Sequence, residues 1–410
     1  MSERLKRVLL IIGFVLVGFA IAAALYVVFF RAPAEVTTTP GTQPEIPEGV
    51  NEGLPSAGVG APVGAQEEVG GTAALPAAAP IADGGVTKTQ AITTGRVIAP
   101  TLAADGASMA YYDRTDGRFY KVNAEGDVER LSDKTFPKAE TIVWNDAGEK
   151  AVIEFPDGGN IVYDFENEKQ ITFPSHWEDF DFSPSTDEII AKSIGLDPNN
   201  RSLVIASADG SRTLSIAALG DNADKVTVNW SPNNQVVAFS RTGPGVSGAG
   251  RQMIIPIGKN RENFPGLTIE GLNFDAQWNP RGDKIVYSSA GAQDEYRPQL
   301  WVVDGNPGSL GERRRSLGIN TWIDKCTFAG NSTMYCAVPQ AMGPNIGLQR
   351  AIADNIADGI YRINIETGAS ERIAIPQTPQ SIDALTVSRD GSRLFFTDKA
   401  TGILQQLQLK

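Results

Sequence analysis

A hairpin that repeats along the chain constrains its fold more than any other feature. In residues 278–288 (WNPRGDKIVYS) a turn built on Pro280 and Gly282 separates an incoming apolar strand, with Phe274, Ala276 and Trp278, from an outgoing one, with Ile285, Val286 and Tyr287. Proline sets φ early in the turn and glycine accepts a positive φ later, so the stretch reads as a tight hairpin. Three further copies begin at Trp144, Phe182 and Trp230. Weaker ones centre on Gly106, Asn331 and Gly391. Aligned on Gly106, Gly148, Thr186, Asn234, Gly282, Asn331 and Gly391, neighbouring turns lie 38 to 60 residues apart. Several short strands per unit at that period are the mark of a β-propeller, and seven turns imply seven blades.

Six of the units supply four apolar runs each. The seventh supplies three, at 384–387, 394–397 and 404–409. A closed ring leaves no open strand edge. The strand-like stretch Thr87–Thr93 (TKTQAIT), just before the first blade, is therefore expected to complete blade 7 and to join the two ends of the domain.

The amino terminus carries a different signal. Residues 8–30 hold no charge, and as a helix they would reach about 34 Å, enough to cross a bilayer core. Arg4, Lys6 and Arg7 precede the run; after Arg31 no Lys or Arg follows until Lys88. That asymmetry keeps residues 1–7 in the cytoplasm and sends the remainder outside. The run is longer than a signal-peptide core and lacks a small-x-small site, so it reads as an uncleaved anchor. Residues 31–86, rich in Pro, Gly and Ala, bury too little apolar surface to fold and read as a disordered tether. The expected architecture is all-β: a seven-bladed propeller over 87–410, preceded by one transmembrane α-helix and that linker.

The repeated aromatic–Ser/Asn–Pro–x–Gly hairpin, as in 230–239 and 278–287, resembles the TolB-type propeller repeat. It is also similar to the propeller of dipeptidyl-peptidase IV-like proteins. The resemblance covers about residues 95–410 and implies an extracytoplasmic protein that binds other envelope proteins. Two departures limit it. TolB has six blades and an extra amino-terminal domain, and no peptidase domain follows the last blade here.

Catalytic and cofactor signals are weak. The net charge of −12, with no clustered Lys or Arg, speaks against nucleic acid. The one histidine, His176, has no second imidazole or thiolate beside it and reads as a loop residue. The string Gly243–Gly248 matches G-x-G-x-x-G, but strands flank it on both sides, so no helix N-terminus receives a phosphate. No metal ligand set and no cofactor site are expected. Cys326 and Cys336 sit about five residues either side of the blade 6 turn, near-opposite on adjacent strands and suited to a disulfide outside the cytoplasm. Trp144, Trp230 and Trp278 recur at one repeat position and read as packing between blades.

Loop lengths are uneven. Connections between second and third strands are short in blades 1, 2 and 7 and long in blades 3 to 6, and all share one face of the propeller. Elaborated loops on a rigid scaffold are where binding usually resides. Trp177, Arg241, Tyr296, Arg297 and Trp322 are the contact candidates on that face, Trp and Arg being favoured interface anchors. Residues 349–358 could form one short helix there. The expected function is a membrane-tethered binding module for an envelope protein or polymer. A propeller hydrolase acting on envelope glycans, with Glu178, Asp179 and Asp324 near the rim, and a structural spacer are the alternatives.

Overall fold

The computed structural model describes residues 78–410 except Ala249, together with Leu16 and Val17. The tail 1–7, nearly all of the apolar run 8–30 and the linker up to residue 77 lie outside the described residues. Among the described residues no helix is long and apolar enough to cross a membrane.

The chain from Val86 onward forms seven sheets, antiparallel throughout except for one short parallel strand. It begins with β1 (Val86–Thr87) and β2 (Gln90–Arg96). Blade 1 follows as β3–β6 (Ile98–Leu102, Met109–Asp113, Arg118–Val122, Val128–Arg130) and blade 2 as β7–β10 (Thr141–Trp144, Lys150–Glu154, Asn160–Asp164, Lys169–Phe173). Blade 3 is β11–β14 (Trp177–Phe182, Glu188–Ser193, Ser202–Ser207, Thr213–Ala218) and blade 4 β15–β18 (Val226–Val228, Val236–Ser240, Arg251–Gly258, Leu267–Glu270). Blade 5 is β19–β22 (Leu272–Trp278, Lys284–Ala290, Pro298–Asp304, Arg315–Ser316). Blade 6 is β23–β26 (Cys326–Phe328, Thr333–Pro339, Asp358–Asn364, Ser370–Pro376) and blade 7 β27–β29 (Ile382–Val387, Arg393–Asp398, Ile403–Gln408).

Closure follows the expectation and extends it. β2 pairs antiparallel with β29, Gln90 opposite Gln406, and supplies the outer strand of blade 7. Ile92 is buried with Val97, Met109, Phe395 and Leu404 between blades 7 and 1. The Leu404 N–H donates to Thr93 Oγ1 at 3.0 Å. β1 instead adds a parallel fifth strand to blade 6. Residues 79–86, assigned above to the linker, are thus part of the propeller. The Ala82 N–H donates to the Gln408 carbonyl and the Gly84 N–H to that of Ile373. Gly84, at φ +96°, lets the backbone pass where a Cβ would stand 3.2 Å from the Arg372 carbonyl.

Second strands are buried on both faces because a neighbouring blade covers each side; Met109, Ala110 and Tyr112 are fully buried, as are Ile285, Val286 and Tyr287. The core is accordingly divided into clusters between adjacent blades. Tyr112 and Phe119 of blade 1 meet Ile153 and Tyr163 of blade 2, and the pattern recurs round the ring to blades 7 and 1. The repeat tryptophans lie in these seams: Trp278 stacks on Phe239 of blade 4 at 5.9 Å, and Trp144 Nε1 donates to the Ala99 carbonyl of blade 1 at 2.8 Å.

The turns between first and second strands form one end of the barrel, and neighbours bond to one another. Asn233 Nδ2 donates to the Gly282 carbonyl at 2.9 Å, Asn279 Nδ2 to that of Asn331 at 3.0 Å, and the Arg389 N–H to that of Gly106 at 2.8 Å. Glycine is required at Gly282, where φ is +72° and a Cβ would fall 2.8 Å from the Asn233 nitrogen. Blade 6 breaks this turn pattern. Its first two strands close between Phe328 and Met334, one residue sooner than Trp278 and Ile285 in blade 5. A cleft of about 990 Å³ lies at this end, lined by Phe328, Tyr335, Arg362, Glu371, Arg389 and Lys410 among others.

Candidate functional site

The opposite end holds the long loops. Residues 194–201, 241–250, 291–297 and 340–357 join second to third strands in blades 3 to 6, against 114–117, 155–159 and 399–402 in blades 1, 2 and 7. The longest is tied down along its length. The Asn345 N–H donates to the Glu295 carbonyl at 2.7 Å and the Gly347 N–H to that of Tyr296 at 2.8 Å. Asn273 Nδ2 reaches the Gly347 carbonyl at 2.7 Å and Arg297 Nε that of Met342 at 3.0 Å. Short 3₁₀ helices at Ile346–Leu348 and Arg350–Asn355 shape the loop, the second within the stretch expected to be helical. Blades 5 and 6 therefore share one fixed shelf.

The five contact candidates do not form one surface. Trp177 is only 6 % exposed; it packs on Phe173 with ring centroids 5.2 Å apart, and Asn160 Nδ2 holds its carbonyl at 2.7 Å. Trp322, also 6 % exposed, is buried with Ile346 and Ala353 beneath the Arg350 guanidinium. Both side chains turn inward because each opens a strand or loop that must be anchored to the barrel, which corrects their reading as surface anchors. Tyr296 and Arg297 belong to the shelf, where Arg297 pairs with Glu295 at 2.5 Å. Arg241 stands apart on blade 4, exposed, donating to the Asp224 carbonyl at 2.8 Å. His176 is an exposed loop residue whose carbonyl accepts the Ile194 N–H. Residues 243–248 lie between two strands with no helix after them. Cys326 and Cys336 are register partners, and their sulfurs are bonded at 2.09 Å.

Two features go beyond the sequence reading, which places Glu178 and Asp179 near the rim but not Glu140 or Glu154. The first is an acidic rim where the inner strands of blades 2 and 3 open at this face. Burial pushes the Glu154 carboxyl up to about 7, helped by Asp179, Glu178 and Glu140. At the other end of the strand that carries Asp179, next to the turns, burial also raises Asp181 to about 7, with Asp146 and Asp179 adding to it, while the N–H groups of Trp230 and Phe182 pull it back. Lys192 lies 3.1 Å from Asp179 and 3.7 Å from Glu178. A β-bulge turns Asp179 to φ +56°, which re-aims the strand end there. The second feature is aliphatic: Leu272, Leu348 and Ile352 are exposed on the shelf. Leu348 and Ile352 lie in the long loop of blade 6, and Leu272 opens the inner strand of blade 5.

Deeper in blade 6, Lys325 and Asp358 form a buried pair at 2.7 Å, and Asp358 also accepts the Ile382 N–H at 2.6 Å, joining blades 6 and 7. Burial raises the Asp358 carboxyl against the pull of Lys325. Among the described residues no group of three or more His, Cys, Asp or Glu is placed to hold a metal ion.

No family model matches the chain, and no curated protein matches it. Solved structures do. An oligogalacturonate lyase in complex with manganese superposes with a TM-score of 0.55 at 12 % identity, over 78 % of this chain and 93 % of that one. The β-propeller domain of Myceliophteria thermophila Cps50 (Swd1) gives 0.52 at 12 % identity, over 78 % of this chain and all of that domain. An oligogalacturonate lyase from Vibrio parahaemolyticus gives 0.52 at 12 % identity, over 78 % and 93 %. At such identities the likeness concerns the fold alone, and that fold is the seven-bladed β-propeller.

Proposed function

We propose that this chain is a membrane-tethered, extracytoplasmic binding module that engages an envelope protein through its long-loop face. The observation that carries the reading is the shelf over blades 5 and 6, a long loop held rigid by hydrogen bonds to a neighbouring blade. Loops fixed on a stiff scaffold bind without a large ordering cost. The uncharged run at 8–30 and the TolB-type repeat support the location.

Purification of the full chain from membranes of its native cells tests this. A variant with residues 341–356 replaced by a short Gly-Ser link should lose a partner that the parent retains, while Arg389→Ala on the opposite face keeps it. Equal recovery from both variants counts against the module.

A second reading has its own observation. Glu154, held near 7 at the loop end among Glu140, Glu178 and Asp179, is poised for proton transfer at neutral pH, and two of the similar structures are oligogalacturonate lyases. Turnover of oligogalacturonate by the full chain, lost in Glu154→Gln, would favour a glycan-acting enzyme instead.

A further inference from the structure

We infer that the channel mouth on the long-loop face docks a basic polypeptide segment, one that sets an aliphatic side chain on Leu272, Leu348 and Ile352 and a lysine or arginine against the acidic rim of blades 2 and 3. The inference deepens the binding-module reading and rests on it.

The apolar part comes from the exposure of three side chains on a rigid support. Leu272, Leu348 and Ile352 are 52 %, 42 % and 55 % exposed. Leu272 opens the inner strand of blade 5, and the Asn273 side chain beside it bonds the Gly347 carbonyl, next to Leu348. Ile352 follows on the next helical turn, whose Arg350 is tied to Asp324 and lies over Trp322. The loop is thus anchored by Trp322, Ile346 and Ala353 beneath and shows aliphatic carbon above. Three exposed aliphatic side chains on and beside one fixed loop mark an interaction surface.

Charge selects the partner. Inner strands line the channel, so the openings of β7, β11 and β19 border the same mouth. On the blade 2 and 3 side stand Glu140, Glu154, Glu178 and Asp179, and Lys192 is the cation paired there. On the shelf side, Arg350 is taken by Asp324 and Arg297 by Glu295. The mouth is negative on the blade 2 and 3 side and aliphatic on the shelf side, with exposed Arg241 of blade 4 between them, and the chain carries a net charge of −12. A cation entering there relieves repulsion that already pushes protons onto Glu154. A polypeptide fits better than a glycan, because sugars stack on aromatic faces and the tryptophans of this end, Trp177 and Trp322, are buried.

The test uses the full chain in detergent micelles and a library of random short peptides. Enriched sequences should pair an aliphatic residue with a lysine or arginine. For a selected peptide, Leu348→Asp with Ile352→Asp should weaken binding about tenfold or more, and Glu178→Gln with Asp179→Asn about fivefold with a shallower salt dependence. Arg389→Ala should change nothing, and unchanged melting curves show that each variant folds. Selection of acidic peptides, or affinity that survives both loop-face variants, overturns this surface while leaving a binding module in place. No enrichment over empty micelles overturns both readings, and a glycan bound at these residues overturns the choice of a peptide.

Discussion

The two ends of the propeller are made from the same seven blades, yet they are stabilised differently. At the turn end, hairpins of neighbouring blades are joined by neutral hydrogen bonds such as Asn233 to Gly282 and Asn279 to Asn331, with partly exposed ion pairs, Lys150 to Asp187 and Lys259 to Glu188, at the blade 2–3 and 3–4 junctions. At the loop end, Lys325 and Asp358 form a pair buried between blades 6 and 7, and Glu154 holds its proton up to about 7. Repetition suits a structural role, because each bond is small and replaceable. Concentrated charge and exposed aliphatic carbon cost stability and are expected where a surface serves something else.

The largest effect that could sharpen this contrast lies in the segment holding both ends together. Deleting residues 79–96 removes β1, β2 and buried Ile92, and should cost more than about 5 kcal/mol, seen as a large fall in melting temperature. A melting curve that does not move would mean the ring closes without it.

Next comes the charged joint. Lys325→Ala leaves Asp358 buried without its partner and should cost about 3–5 kcal/mol by chemical denaturation, whereas Asn279→Ala at the turn end should cost about 1. Comparable losses would erase the distinction between the ends.

The cysteine pair should matter less. Cys326→Ser with Cys336→Ser opens a loop of 10 residues and should cost about 2–3 kcal/mol, matched by reduction of the parent. A parent indifferent to reductant would count against the bridge.

The smallest effect is the pH response of the rim. Folded Glu154 binds its proton up to about 7, above the ordinary carboxylate range. Its stabilising contribution is therefore complete at acid pH and is lost as the pH rises through about 7. The parent should gain roughly 1 kcal/mol on going from about pH 8 to about pH 5, a gain that Glu154→Gln reduces. A stability profile identical in parent and variant would show that neither burial nor the neighbouring Asp179, Glu178 and Glu140 raises the Glu154 carboxyl.

The turn end was largely legible in the sequence, because each hairpin carries its own signal: an aromatic residue, Pro or Gly at fixed offsets, then an apolar run. Ring closure was legible as well, since three strands in a last blade require a fourth. What the chain did not disclose was side-chain direction at the loop end. Trp177 and Trp322 look like surface anchors in a loop-rich stretch, and only the packing of Phe173, Ile346 and Ala353 around them shows that they are inward. Glu178 and Asp179 could be placed near the rim, but their meeting with Glu140 and Glu154 was hidden, because Glu140 precedes β7, Glu154 ends β8 and Asp179 lies on β11, and long-range convergence leaves no local pattern. The same holds for residues 79–86, whose composition matches the linker and whose order comes from the edges of blades 6 and 7.

The most direct measurement places a photoreactive amino acid at Ile352 on the long-loop face and, separately, at Asp390 on the turn face of the full chain in its native cells. A discrete cross-linked protein from position 352, absent from position 390 and lost when Glu178 and Asp179 are neutralised, is the expected result. Cross-links from position 390 alone, or the same products from both positions, would contradict the assignment of the long-loop face as the binding surface.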